Sequence, residues 1–250
     1  MKKNISSELA INGGKPIREA PLPHRINFCD CELEMVKNVF KNSWETGVDF
    51  FSQGKFEDEF TKNYSEFLGG GYADAVSSGT AAVFVAFKAL DIEEGSDVIV
   101  SPATNPGGIM PIALQNVKLI IPDSAPNSFN ISPAEFEKAI TPKTRAAVLT
   151  HLGGQAIDLD PIIEIAKSKN IKIVEDCSQA HGTVYKGKKV GTLTEISASS
   201  TMCSKTLTSG GNGGIIFTKD EKLYWHARSL ADRGKPFTDP DYHFRMTTNN

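Results

Sequence analysis

The sequence predicts an α/β fold: a mostly parallel sheet with helices on its two faces. Two observations predict it. From Tyr72 onward, short apolar strands alternate with single helical stretches, and strands joined by one helix pair in parallel. Polar or glycine-bearing turns then fall at the ends of several of these strands, at Ser77-Ser78-Gly79-Thr80, Glu175-Asp176 and Ser200 to Lys205. Open α/β sheets bind ligands at the carboxyl ends of their strands. A chain of 250 residues, 40% of them apolar, is long enough to bury a substantial core.

The elements follow in order. Asn12-Gly13-Gly14-Lys15-Pro16 and Pro21-Leu22-Pro23 predict an extended arm over residues 1–29, and residues 30–250 read as one large domain. Asp30 is placed to cap a helix over residues 31–42, with Leu33, Val36, Val39 and Phe40 at helical spacing. Residues 42–47 read as a loop. A second amphipathic helix carries Phe56, Phe60, Tyr64, Phe67 and Leu68 on one face and stops at Gly69-Gly70-Gly71. That aromatic stripe reads as core packing. Strands are expected at residues 72–76, 98–100, 118–121, 146–149, 171–174, 196–200 and 215–218. Helices are expected at residues 81–90, near 109–115, and at 133–140, 161–168 and 220–230. Ser132 caps the third of these, with Pro133 at its first position.

Composition excludes some classes of function. A formal net charge of −3 leaves no basic footprint for nucleic acid. The densest basic run, Lys186-Gly187-Lys188-Lys189, reads as a solvated turn. The four cysteines, Cys29, Cys31, Cys177 and Cys203, have neither zinc spacing nor a C-x-x-C pair, so no metal is expected. Cys177 and Cys203 fall at what read as buried strand ends, and free thiols in a reducing compartment are the expectation. The N-terminus lacks the apolar stretch of a signal peptide, and no apolar run approaches the ~20 residues that cross a bilayer. A cytoplasmic protein without a membrane partner is expected.

The candidate site combines signals that are ambiguous singly. Ser78-Gly79-Thr80 joins a strand to a helix, so its N–H groups and the helix dipole favour an anion, best a phosphate. Asp176 ends a strand, as a helix cap or as the partner of a buried cation. Lys205 lies in a polar turn ahead of Gly210-Gly211-Asn212-Gly213-Gly214, as a surface lysine or as a desolvated amine able to attack a carbonyl. His181 is structural or catalytic. Together, a phosphate cradle, a carboxylate and a lysine match the needs of pyridoxal phosphate: donors for its phosphate, an acid for its ring nitrogen and an amine for its aldehyde.

The motifs that carry these residues resemble the DegT/DnrJ/EryC1/StrS aminotransferases, pyridoxal-phosphate enzymes of fold type I. The matching stretches include Ser77-Ser78-Gly79-Thr80-Ala81-Ala82, Phe129-Asn130-Ile131-Ser132-Pro133 and His151-Leu152-Gly153-Gly154-Gln155. Glu175-Asp176-Cys177-Ser178-Gln179-Ala180-His181-Gly182, Tyr185 to Gly191 and Lys205 to Gly214 complete them. The resemblance implies that Lys205 forms the Schiff base and shuttles the proton, that Asp176 pairs with the pyridine nitrogen, and that Gln179 lies near the ring hydroxyl. It implies that Gly79, Thr80 and Ser200 hold the phosphate. It further implies a homodimer in which His243 approaches the partner's phosphate site. Glutamate or glutamine is the implied donor, and a nucleotide-linked keto sugar or a cyclitol the implied acceptor.

Three positions depart from the family pattern. Pro106 stands where an aromatic ring stacks on the cofactor, Asn212 where an acidic residue is usual, and His243 where an asparagine is usual. Family members also continue past residues 245–246 into a smaller C-terminal domain, so this chain is expected to lack that domain. Two other functions stay open. One is a cofactor-binding protein or fragment without catalysis. The other is a sugar dehydratase, whose histidine in place of the lysine makes Lys205 an argument against it.

Overall fold

The computed structural model describes residues 8–22, 28–50 and 53–238. The chain forms two compact units, Met1–Asp49 and Phe50–Asn250. In the first, a 3₁₀ turn at Ala10–Asn12 interrupts the expected extended arm, and helix α1 spans Asp30–Thr46. The N-cap of α1 is Cys29, not Asp30: Cys31 N–H donates to its Sγ, and its own N–H donates to Glu32 Oε2 at 2.7 Å. The helix also runs through the stretch expected to be a loop. Nothing before Gly47 breaks it, and Gly47, at φ +68, closes it by donating its N–H to Ser43 O.

The second unit opens with helix α2, Lys55–Leu68, which Gly69 stops at φ +94. Its Tyr64 and Leu68 bury against Ala73, Ile215 and Phe217, as the aromatic stripe predicts. Phe67 departs from it: the ring is exposed, with Lys189 Nζ 4.3 Å above it. Among the described residues the unit then alternates β1 Tyr72–Val76, α3 Gly79–Lys88, β2 Asp97–Val100, α4 Met110–Ala113, β3 Lys118–Ile120 and α5 Pro133–Ala139. It continues with β4 Thr144–Thr150, α6 Leu159–Ser168, β5 Lys172–Asp176, the short strands β6 Val184–Tyr185 and β7 Lys188–Lys189, β8 Ile196–Ser200, β9 Gly214–Thr218 and α7 Glu221–Ala231.

Among the described residues, seven strands form one sheet in the order β1-β9-β8-β5-β4-β2-β3. The pairings β5–β8, β4–β5, β2–β4 and β2–β3 are parallel. Strand β9 runs antiparallel to both neighbours. It follows β8 through residues 201–213 with no crossover helix, the usual means of a parallel return. Side chains alternate across the sheet. Val98, Val100, Ala146 and Val148 face one core with Ala82, Ala86 and Phe87 of α3. Ile99, Ala147, Leu149 and Ile173 face the other with Phe136 of α5 and Ile162 of α6. Helices therefore cover the two faces, and the strand ends stay clear for a site.

Local sequence explains several boundaries. Ser78 caps α3 by accepting from Ala81 N–H at 3.1 Å, so the helix begins at Gly79, two residues before the expected start. Ser132 caps α5 in the same way through Glu135 N–H. The basic run becomes the turn of the β6–β7 hairpin, with Lys186 at φ +47 and Gly187 at φ +83. All four cysteines are free thiols. Cys177 is buried as expected, but Cys203 is exposed, because β8 ends at Ser200 and the chain then leaves the sheet. Among the described residues no helix is long and apolar enough to cross a membrane.

Candidate active site

The turn from β1 to α3 packs against the end of β8. A Cβ on Gly79 would lie 2.4 Å from the Cβ of Ser200, so only glycine permits this approach. The first turn of a helix leaves N–H groups without intrahelical partners. At α3 the Ala81 N–H goes to the Ser78 hydroxyl and the Ala82 N–H to the Ser78 carbonyl. Gly79 and Thr80 carry the other two N–H groups of that turn, and both residues line a cavity of about 140 Å³.

Asp176, at the end of β5, is buried and lines the same cavity. Ser178 N–H donates to its Oδ1 at 3.0 Å, and the Thr150 hydroxyl lies 3.3 Å from its Oδ2. Thr150 Oγ1 is also 3.1 Å from Thr104 Oγ1. The preceding residue, Glu175, points to the opposite side of the strand and anchors the segment after the β6–β7 hairpin. Its carboxylate accepts from Gly191 N–H at 2.6 Å, from Leu193 and Thr194 N–H at 3.0 Å, and from the Thr194 hydroxyl at 3.1 Å. His151 completes the set. Its Nδ1 accepts from Ile157 N–H, which leaves the proton on Nε2, 3.1 Å from Glu175. Burial alone would push Glu175 up, but His151 and these backbone donors outweigh it and hold the carboxyl below its ordinary range. His151, Glu175 and Cys177 bring metal-ligating atoms within 4.8 Å of one another, yet the histidine and carboxylate are already committed to this network.

Gln179 lines the cavity and accepts from Gly153 N–H through Oε1 at 2.9 Å. Ser200 is buried, and its Oγ accepts from Met202 N–H at 3.3 Å. Lys205 is half-buried in the excursion between β8 and β9, with its N–H on Met202 O. Backbone bonds from Thr201 to Gly213 O, Cys203 to Gly211 O and Ser209 to Thr201 O close that excursion. Gly213 is pressed against Ser209 and Thr201 and leaves no room for a side chain. The structure thus brings Gly79, Thr80, Asp176, Gln179, Ser200 and Lys205 to one cavity. His243 lies outside the described residues.

His181 plays a supporting part. It does not line the cavity; its Nε2 lies 2.8 Å from Ser200 O, and its ring meets Tyr64 edge-on. Burial pushes its pKa below the usual histidine value. Asn212 reaches the cavity wall, while Pro106 is exposed and lies off it. Sequence reasoning did not assign Thr104, Asn105, Gly107, Gly108 and Met202, which line the wall as well. Their signal was position: Thr104 to Gly108 follow the carboxyl end of β2, a parallel strand like β5.

A larger cleft, of about 680 Å³, lies between α2, β1 and α7. Its two cations are paired, Arg228 with Asp74 at 2.6 Å and Lys62 with Glu66 at 3.9 Å.

The chain is similar to known aminotransferases. The L-glutamine:2-deoxy-scyllo-inosose aminotransferase of Micromonospora echinospora is 35% identical over 234 residues, covering 93% of this chain and 55% of that protein. The GDP-perosamine synthase of Escherichia coli O157:H7 is 36% identical over 223 residues, covering 86% of this chain and 59% of that protein. The X-ray structure of the aminotransferase from Psychrobacter cryohalolentis matches with a TM-score of 0.79 at 33% identity, over 86% of this chain and 53% of that one. The chain spans about half the length of the relatives it matches. Residues 30–249 match the pattern of a single family. The chain belongs to the DegT/DnrJ/EryC1/StrS aminotransferase family.

Proposed function

We propose that this protein is a pyridoxal-phosphate-dependent aminotransferase that moves an amino group from glutamate or glutamine to a keto group on a nucleotide-linked sugar or a cyclitol. The observation that carries the proposal is the meeting of the β1, β5 and β8 ends, with Gly79-Thr80, Asp176 and Lys205, in one cavity. The donor set fits the group: N–H groups and hydroxyls suit a phosphate, a buried carboxylate suits a basic ring nitrogen, and a lysine amine suits an aldehyde. Enzymes of this family use pyridoxal phosphate. The named activities of the M. echinospora and E. coli relatives support a cyclitol or a nucleotide-linked sugar as acceptor.

In this account Gly79, Thr80 and Ser200 hold the phosphate through N–H groups and hydroxyls. Asp176, oriented by Ser178 N–H and Thr150, keeps a proton on the ring nitrogen. Gln179, fixed by Gly153 N–H, lies beside the ring hydroxyl. Lys205 holds the cofactor covalently and moves the reacting proton through its Nζ. When bound, pyridoxal phosphate would supply an aldehyde carbon that carries the amino group and an electron-withdrawing ring that stabilises the charge left as the proton moves. Residues 30–250 form the cofactor domain in this account and residues 1–29 an arm. The working assembly is a cytoplasmic homodimer, with His243 near the partner's Gly79-Thr80 site.

The test is spectroscopic. The protein is loaded with pyridoxal phosphate and titrated with L-glutamate or L-glutamine, then with a keto-inositol. The account expects the cofactor band to shift with donor and return with acceptor. A band that forms but does not move identifies a binder without turnover and contradicts the proposal.

A further inference from the structure

The wall beside Asp176 is built of backbone. Residues Pro106–Gly108 form a 3₁₀ turn, and Asn105 accepts from Gly107 N–H through Oδ1 and from Gly108 N–H through its carbonyl. The ring of Pro106 faces away, and Gly107 and Gly108 line the cavity. Neither glycine has a positive φ, so backbone conformation does not demand glycine at either position. Space does. A Cβ on Gly107 would lie 2.7 Å from Thr80 Oγ1, and one on Gly108 would lie 2.9 Å from Asp176 Oδ2 and from Thr104 Oγ1. One end of this dipeptide therefore touches the phosphate cradle, and the other touches the carboxylate proposed to hold the ring nitrogen. The peptide between them spans the two ends of the cofactor's place.

Resting on the function proposed above, we infer that the bare Gly107–Gly108 peptide is the platform against which the cofactor ring lies, in place of an aromatic side chain. A peptide group is planar, and without Cβ atoms its flat face can approach a ligand closely. Asn105 positions this platform by tying down the two N–H groups.

The experiment measures the dissociation constant of pyridoxal phosphate by fluorescence quenching, with the position of the cofactor band and the melting temperature of the cofactor-free protein. Gly108→Ala weakens binding about tenfold, the effect of one misplaced methyl in a tight site. The cofactor-free melting temperature falls modestly, because the new methyl crowds Thr104 and Asp176, and an unchanged band position separates loss of the platform from displacement of Asp176. Pro106→Phe leaves binding unchanged, because residue 106 points away from the ring. Should Gly108→Ala not fold, Gly107→Ala gives the same readout against a single threonine side chain. Parent-level binding by the glycine variants, or tighter binding by Pro106→Phe, overturns the platform alone. A parent chain that does not bind pyridoxal phosphate overturns both the platform and the proposed function.

Discussion

Gly79 and Ser200 touch so closely that a Cβ on the glycine would come within 2.4 Å of the serine Cβ. The contact joins the first turn of α3 to the end of β8 and so assembles the proposed phosphate cradle from two distant segments. Gly79→Ala must push them apart. Overpacking of this kind costs about 1–3 kcal/mol. We expect a lower urea midpoint together with weaker pyridoxal phosphate binding. An unchanged midpoint with full binding would show that the cradle does not depend on this contact.

Glu175 is the buried anchor beside the site. Glu175→Gln removes the charge and turns an amide N–H toward donors that need an acceptor. Breaking a buried charged network costs about 3–5 kcal/mol. The sign of the pH dependence follows from the lowered folded pKa. The stabilisation from Glu175 is present above the unfolded carboxylate pKa and is lost as pH falls through the folded one. Acid titration of stability checks this: the Gln variant has a flatter acid limb, and an identical limb would contradict the anchor.

Asp74 behaves in the opposite sense. Burial lifts it from 3.8 to about 6 despite its contact with Arg228, and Asp232 adds to the rise. A raised folded pKa means that the native state holds the proton more tightly. The associated stability is complete below pH 3.8 and is lost as pH rises to about 6. Asp74→Asn lacks this loss. Melting temperatures across that window test it, and parallel curves for the two proteins would refute it.

Much of this fold was legible in the sequence. Strand and helix periodicity located the alternating elements from Tyr72 to Ala231, and Ser132-Pro133 announced α5. Three strand ends led to Asp176, Gly79 and Lys205. The antiparallel β9 was not drawn out, although the missing helix in residues 201–213 carried the signal. The last turn of α1 was hidden because Asn42, Ser43 and Trp44 are weak helix formers, and only Gly47 ends the helix. The Gly107–Gly108 wall was hidden for a different reason. Its contacts with Thr80 and Asp176 join β2 to β1 and β5, a juxtaposition that only the folded sheet creates.

Under the proposed function, Asp176→Asn keeps the shape but loses the charge proposed to keep the ring nitrogen protonated. We expect the Lys205 adduct to form as before and amino transfer to fall by about a hundredfold, the scale of removing one preorganised electrostatic partner. Single-turnover absorbance with excess donor measures it. Transfer at the parent rate would remove Asp176 from the proposed role.

The central claim is that Lys205 holds the cofactor. Borohydride reduction of the loaded protein, followed by proteolysis and mass spectrometry, tests it directly. The account predicts a phosphopyridoxyl mass on the peptide containing Lys205, absent from Lys205→Ala. The same mass on another lysine, or its persistence in Lys205→Ala, would contradict the claim.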